Sequence, residues 1–320
     1  MRGMIKMPVI EVNNLVKQYN VAKEPSVKGI CFNVDEGEFF AFLGPNGAGK
    51  TTTISILTTT LSKSSGEVKI AGFDVEKQAQ KVRKHIGIIF QKPSLDLDLS
   101  AEANIRLHAC MYGMYVYRPF FRWMPKSYRD RVMELADIVG IKDNLWKPLK
   151  TFSGGMQRKM EIIRSLIHTP EVLFLDEPTQ GLDAVSRRDL WNYIDRTRKE
   201  NGTTVFLTTH YIDEAEKVDK LCMIKQGEII FSGAPEDMKK KLLKKELLLD
   251  ANDRERLLTE LRGMGFNPNI SEKHLSVSFQ TSTPMDILSK LTVPLSLMNV
   301  NEPTLEDAYI SLAEGGNNNE

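Results

Sequence analysis

Gly44-Pro45-Asn46-Gly47-Ala48-Gly49-Lys50-Thr51 sets glycines, a lysine and a hydroxyl in one short run. That combination suits a chain of phosphates. Glycines let the backbone wrap an anion with its amide donors, a lysine reaches the β- and γ-phosphates of a nucleotide, and the hydroxyl is a ligand for Mg²⁺. The flanks fit: Phe39 to Leu43 is an apolar run of the kind that forms a buried parallel strand, and Thr52 to Leu57 can continue as a helix whose positive end faces the same anion. A second feature is the pair Asp176-Glu177 at the end of the apolar run Val172 to Leu175. Adjacent carboxylates at the C-terminal end of a covered strand need a cation. Beside a phosphate loop, Asp176 is placed to hold the Mg²⁺ shell and Glu177 to activate a water against the γ-phosphate.

Other residues carry less by themselves. Tyr19 reads first as a half-buried strand aromatic, with adenine stacking as its functional alternative. Gln91 follows the apolar strand Ile86 to Phe90, where α/β proteins place ligand contacts, yet a lone strand-end Gln is usually only that. Phe152-Ser153-Gly154-Gly155-Met156-Gln157 opens an apolar helical stripe, so Ser153 is a plain N-cap or part of a second anion site. Asp183 can cap the helix running through Trp191 to Lys199, and His210 ends the strand Thr204 to Thr209.

These residues need a scaffold, and the pattern supplies one. Val9 to Val12, Leu15 to Tyr19 and Val27 to Val34 read as short strands of an antiparallel sheet beside the nucleotide core. After the phosphate loop come a strand at Glu67 to Ile70 and a helical stretch from Val75 to His85. From Ser100 to Gly140 the pattern is helical, with Ser127 and Asp130 as a capping box ahead of Val132, Leu135, Ala136 and Val139. Lys220 to Ile224 and Glu228 to Phe231 form a closing hairpin.

At 320 residues, the chain is long enough for one large α/β domain and a smaller second one. Its 43 basic and 42 acidic residues leave a net charge of +1, so no global field draws it to nucleic acid or to a membrane. Cys31, Cys110 and Cys222 lie far apart and predict buried, reduced thiols. The start lacks the apolar segment of a signal peptide, and no run is long enough to span a bilayer.

Taken in order, Tyr19, Gly44 to Thr51, Gln91, Phe152 to Met156, Val172 to Glu177, Gly181-Leu182-Asp183 and His210 resemble the ATP-binding subunit of an ABC transporter over roughly residues 9 to 232. The resemblance implies a P-loop ABC ATPase core, α/β with a mixed sheet, an antiparallel β subdomain and a helical subdomain at about 92–168. It also implies ATP and Mg²⁺. Within one chain, nucleotide contacts fall to Tyr19, Gly44, Asn46, Gly47, Gly49, Lys50, Thr51 and Thr52, metal contacts to Thr51, Gln91 and Asp176, and catalysis to Glu177, His210 and Gln91. A facing chain adds Ser153, Gly154 and Gly155, and Asp183 belongs to the same nucleotide-binding set. The usual Leu-Ser-Gly-Gly-Gln is Phe-Ser-Gly-Gly-Met here, which touches only a secondary contact at Met156.

Phe39 to Thr53 and the closing run Glu302 to Tyr309 are similar to the daunorubicin-resistance and sodium-efflux branch of exporter ATPases. Implied partners are membrane-spanning permease subunits and a second nucleotide-binding domain in a homodimer. The subunit would then sit peripherally on the cytoplasmic face of the cell membrane, held by the permease, with no nucleic acid. Rival readings are a soluble ABC-type ATPase that remodels nucleic acid or the ribosome, and an importer ATPase. The first usually carries two nucleotide domains, a long coiled coil or zinc-binding cysteines, and the sequence has none of these.

The expected division is a nucleotide-binding domain at 1–233, a small α+β domain at 234–314 reached through a basic helical linker from Pro235 to Lys245, and a frayed tail at 315–320. One stretch stays unassigned. Between Tyr112 and Arg131, Tyr112, Tyr115, Tyr117, Phe120, Phe121, Trp123 and Tyr128 are interleaved with Arg118, Arg122, Lys126 and Arg129. Its rings either pack on the helical subdomain's own core or form an exposed patch for a membrane subunit or anionic headgroups, with nucleic-acid stacking a lesser third use.

Overall fold

The computed structural model describes residues 8–20, 22–90, 95–242, 245–271, 274–279, 283–301 and 304–313. They fall into two compact units, Met1–Gly233 and Ala234–Glu320.

The first unit begins with β1 (Pro8–Lys17), β2 (Val27–Asp35), β3 (Phe39–Leu43), α1 (Lys50–Leu57), β4 (Ser65–Ile70) and β5 (Phe73–Asp74). β1 is one strand where the sequence suggests two. Asn14 takes a left-handed φ of 50° and the register slips between Val12 and Leu15, so a bulge absorbs the polar pair instead of ending the strand. Next come α2 (Ala79–His85), β6 (Ile86–Ile89), α3 (Ala101–Met111), α4 (Lys126–Ile138), α5 (Gly154–Leu166) and β7 (Val172–Asp176). α2 is shorter than the expected helix from Val75, because Asp74 Oδ1 takes the backbone N–H of Glu76 and of Lys77 at 2.9 and 2.8 Å and makes a turn there. The expected capping box on α4 does not form. The helix starts directly after Pro125, which leaves Ser127 inside the first turn with no cap to make. The apolar stripe is nonetheless as expected, with Val132, Leu135 and Ala136 buried.

α6 (Ala184–Asn201), β8 (Thr204–Thr209), α7 (Ile212–Ala215), β9 (Lys220–Lys225) and β10 (Glu228–Gly233) complete the unit. The central sheet runs β10-β9-β3-β8-β7-β6, parallel except for the antiparallel edge β10. β3, β7 and β8 are buried at every position, as expected of strands whose apolar runs are covered on both faces, and the polar ends of β7 and β8 are buried with them. A smaller antiparallel sheet, β2-β1-β4-β5, packs on it through aromatic rings: Phe32 of β2 stacks on Phe40 of β3 at 5.5 Å, and Phe40 on Phe206 of β8 at 5.1 Å. The C-terminal ends of β3, β7 and β8 therefore lie side by side, and the polar residues singled out in the sequence follow them.

The second unit contains α8 (Pro235–Leu242), β11 (Lys245–Ala251), α9 (Arg254–Gly263), β12 (Asn269–Ile270), β13 (Leu275–Phe279), α10 (Pro284–Leu288), β14 (Leu295–Asn301) and α11 (Leu305–Ala313). Its antiparallel sheet, β12-β13-β11-β14, has a core of its own around Leu247, Leu249, Leu257, Leu261, Val277 and Ile287. α8 belongs to this unit and is not a free linker. In the closing motif, Thr304 N–H and hydroxyl donate to Asp307 Oδ2 while Thr304 Oγ1 accepts from Asp307 N, which caps α11. Glu302, Pro303 and the 315–320 tail lie outside the described residues. The thiols depart from expectation: Cys222 is buried, but Cys31 is exposed.

Candidate nucleotide site

The loop between β3 and α1 is built so that little but its own sequence fits. A Cβ on Gly44 would lie 2.3 Å from the Ile224 carbonyl oxygen, and one on Gly49 would lie 2.7 Å from the Ser26 carbonyl oxygen, with φ at Gly49 already +109°. The loop is tied down by Gly227 N–H, which donates to the Ala48 carbonyl at 3.0 Å. α1 then begins at Lys50, so its unpaired N–H groups open toward the loop. The Lys50 side chain turns back into the loop and donates to the carbonyls of Gly44 and Pro45 at 2.7 and 3.2 Å. Only 4% of it is exposed. Burial pushes its pKa below the ordinary lysine value, and the neighbouring carboxylates of Glu177 and Asp176 pull it partly back.

Asp176 and Glu177 arrive from β7, one strand removed from β3. Asp176 is buried and accepts the Thr208 hydroxyl on Oδ1 at 2.5 Å; burial raises its pKa, against the pull of Thr208 and Lys50. Glu177 takes a left-handed φ of 45°, rare for a residue with a side chain, and its N–H is held by the Thr208 carbonyl at 3.1 Å. Its Oε1 lies 3.6 Å from Lys50 Nζ and 3.2 Å from His210 Nδ1. The His210 contact is close but lacks hydrogen-bond alignment, and the imidazole rests on the Tyr211 ring at 4.0 Å.

A cavity of about 390 Å³ lies at this point, lined by Ser26, Asn46, Gly47, Gly49, Lys50, Thr51, Thr52, Glu177 and Gln180. Another of about 400 Å³, between α5 and α6, has none of the phosphate-loop residues. The chemistry selects the first. Tyr19 is exposed just beyond β1, and its hydroxyl is 3.3 Å from Thr52 Oγ1, which hangs its ring beside α1. Other residues lie elsewhere. Ser153 caps α5 by accepting Met156 N–H at 3.3 Å, Ser153 and Gly154 are exposed, and Gly154 has open space where a Cβ would point. Neither they nor Gly155 line the phosphate-loop cavity. Asp183 is exposed and accepts Val185 N–H at 2.9 Å at the start of α6. Gln91 lies outside the described residues.

Among the described residues, no group of three or more His, Cys, Asp or Glu converges as a metal cage. Thr51 lines the cavity, and Asp176 stands near enough for its charge to act on Lys50; a carboxylate and a threonine hydroxyl are the set that Mg²⁺ takes when phosphates and water complete its shell, so the residues fit that ion.

Sequence reasoning missed a buried carboxylate that braces the site. Glu214 of α7 accepts the Thr179 hydroxyl on one oxygen and the Thr209 hydroxyl on the other, the latter at 2.7 Å. It thereby joins the segment after Glu177 to the residue before His210. The signal was a polar pair, Thr208-Thr209, closing an otherwise apolar strand. Arg158 does similar work from α5, donating to the carbonyls of Pro178 at 3.0 Å and Phe90 at 2.5 Å.

The family pattern described as ABC transporter matches residues 27–180. Over 314 residues the chain is 34% identical to the daunorubicin/doxorubicin resistance ATP-binding protein DrrA of Streptomyces peucetius, covering 95% of this chain and 92% of that one. The chain belongs to the ABC transporter ATP-binding family. It is also 31% identical to the linearmycin resistance ATP-binding protein LnrL of Bacillus subtilis, over 95% of this chain and 98% of that one. Among solved structures, an ATP-binding subunit of an ABC transporter superposes with a TM-score of 0.64 at 26% identity, covering 73% of this chain and 92% of that one. The ATP-binding cassette MJ0796, solved as a dimer in a post-hydrolysis state with ADP and Pi, gives 0.62 at 25% identity over 70% and 98%. As a member of this family the chain binds ATP and is an ATPase. Among its described residues, no helix is long and apolar enough to cross a membrane.

Proposed function

We propose that this chain is the ATP-hydrolysing subunit of an exporter, working as a pair of identical chains under separately encoded membrane-spanning subunits at the cytoplasmic face of a membrane. The observation that carries the reading is the division of the anion donors. Lys50, Gly47 and Gly49 line one cavity together with the carboxylate of Glu177, while Ser153 and Gly154 stand exposed outside it, with open space at Gly154. A second chain bringing that patch over the cavity would close the site. The dimeric state of the MJ0796 cassette and the resistance-linked names of DrrA and LnrL support the same reading.

In the closed pair, the loop amides and Lys50 hold the β- and γ-phosphates, Lys50 exchanging the Gly44 and Pro45 carbonyls for phosphate oxygens. Tyr19 offers its exposed ring to the adenine. Glu177 takes a proton from a water whose oxygen attacks the γ-phosphorus, as the bond from that phosphorus to the bridging oxygen of the departing ADP breaks. His210, beside Glu177 Oε1, orients that carboxylate and the γ-phosphate. Thr51, Asp176 and Gln91 would hold Mg²⁺, which would offset the negative charge of the phosphates. Thr208 keeps Asp176 in place for this through its hydroxyl.

Purifying the tagged chain from detergent-solubilised membranes of its own host tests the assignment. Membrane-spanning subunits are expected to accompany it in stoichiometric amount. Recovery of ribosomal or DNA-bound proteins instead would replace the transporter reading with the remodelling one.

A further inference from the structure

Between α3 and α4 a loop projects from the first unit. Residues 116–120 are exposed without interruption, and Arg122 and Trp123 are exposed after them. Val116 is 83% exposed, Phe120 51% and Trp123 47%. The foot of the loop is firmly built: Met124 and Tyr128 are buried, and Arg106, paired with the buried Glu102, donates to the carbonyls of both Arg118 and Pro119 at 2.8 Å. The expected choice between core rings and surface rings thus resolves as a division within the 112–131 stretch, with Tyr128 of α4 in the core and Phe120 and Trp123 of the loop outside. At the tip, Phe120 and Trp123 meet edge to face at 4.7 Å, and the Arg122 guanidinium lies over both rings at 5.5 and 5.8 Å.

We propose that this loop rests directly on the anionic headgroup layer of a membrane, with Phe120 and Trp123 entering the interfacial zone and Arg122 staying level with the phosphates. Three observations select that occupant. The first is sign: no acidic residue occurs from 103 to 129, while Arg118, Arg122, Lys126 and Arg129 do, in a chain whose net charge is only +1. A one-signed patch fits a surface of uniform opposite charge. The second is access, because residues 116–120 are exposed without interruption and none of them lines either cavity described above, whereas a partner helix is received by a groove. The third is composition: aromatic rings with arginine are the residues that settle at the boundary of headgroups and acyl chains. The contact supplements the permease for a subunit already at a membrane, so it rests on the transporter reading for its place in the cell but not for its test.

The purified full-length chain is floated with vesicles of phosphatidylcholine alone and of phosphatidylcholine mixed with phosphatidylglycerol. Binding to the mixed vesicles only is expected, weakened by salt and accompanied by a blue shift of tryptophan emission. Arg122→Glu changes the local charge by two and should weaken partitioning roughly thirtyfold. Phe120→Ser with Trp123→Ser should abolish the blue shift while melting temperature and ATPase activity hold. Failure of the wild-type chain to bind anionic vesicles, or equal binding by Arg122→Glu, overturns the proposal. A large loss of melting temperature in the double variant also overturns it, by placing the rings in the core. If the wild-type chain ignores vesicles but the double variant no longer copurifies with membrane subunits, the loop grips protein; the proposal then falls and the transporter reading stands.

Discussion

Glu177 Oε1 lies 3.2 Å from His210 Nδ1 and 3.6 Å from Lys50 Nζ, so one buried carboxylate oxygen brings together residues that follow three neighbouring strands. β7 supplies the acid, β8 the histidine and β3 the lysine. Only at the C-terminal edge of the parallel sheet do these come within reach of each other. The left-handed turn at Glu177 aims the carboxylate there and is the kind of backbone strain that persists where a site needs it.

If His210 orients Glu177 and the γ-phosphate, His210→Ala should leave equilibrium ATP binding near the wild-type value and lower kcat by about 10²–10³, the scale of losing one positioned group at a reacting centre. Nucleotide titration alongside steady-state turnover checks this. A parallel loss of binding would place His210 among residues that merely hold the substrate.

Glu214 makes a different prediction. Removing its carboxylate strands the Thr179 and Thr209 hydroxyls in a buried position, at a cost of about 2–4 kcal/mol in unfolding free energy. Glu214→Ala should therefore shift the denaturation midpoint downward, and Glu214→Gln, which keeps one acceptor, should lose less. Since the brace joins the segments bearing Glu177 and His210, kcat should fall in the same order even where the protein remains folded.

The nucleotide core was legible because its requirements are local and unforgiving. Gly44 and Gly49 can be nothing else where Ile224 and Ser26 carbonyls press on them, and Phe39 to Leu43 can only be a strand covered on both faces. Asp176 and Glu177 announced themselves as charges at the end of an apolar run. What stayed hidden depended on partners remote in sequence. Nothing near Glu214 says that it faces Thr179, and nothing around Asn14 says that β1 will bulge and continue. The start of α4 differs from the pattern because Ser127 has the right type and spacing for a cap, whereas the backbone already turns helical after Pro125. The aromatic loop was ambiguous for the same reason: Tyr128 and Trp123 are alike in type, and only the fold decides which one is buried.

Acid should weaken the fold through a histidine. Burial, with Arg164 and His168 nearby, depresses His108 from its ordinary 6.5 to about 3. Below 6.5 the unfolded chain takes up a proton that the folded chain refuses. The contribution of His108 to stability is therefore complete above pH 6.5 and is lost as the pH falls toward 3, by at most about 1.4 kcal/mol per pH unit. Denaturant titrations between pH 7 and 5 should show that slope, and His108→Gln should flatten it. His168, also lowered by burial, accounts for part of what remains.

A chain ending at Gly233 should fold and bind ATP, since the first unit has its own core and every residue lining the phosphate-loop cavity precedes that point. Equilibrium nucleotide binding by the truncated protein measures this. Insoluble or non-binding material would mean that the two units depend on each other to fold.

The central claim, that Glu177 is the base of an ATPase whose site closes between two chains, is tested most directly by Glu177→Gln. The amide cannot accept the proton of the attacking water, and Asp176 is left as it was. Turnover should fall by about 10²–10⁴ while ATP binding persists. Gel filtration with Mg²⁺ and ATP should then show a stable dimer that ADP does not produce. Wild-type turnover by this variant, or an ATP-bound species that stays monomeric, would contradict the account.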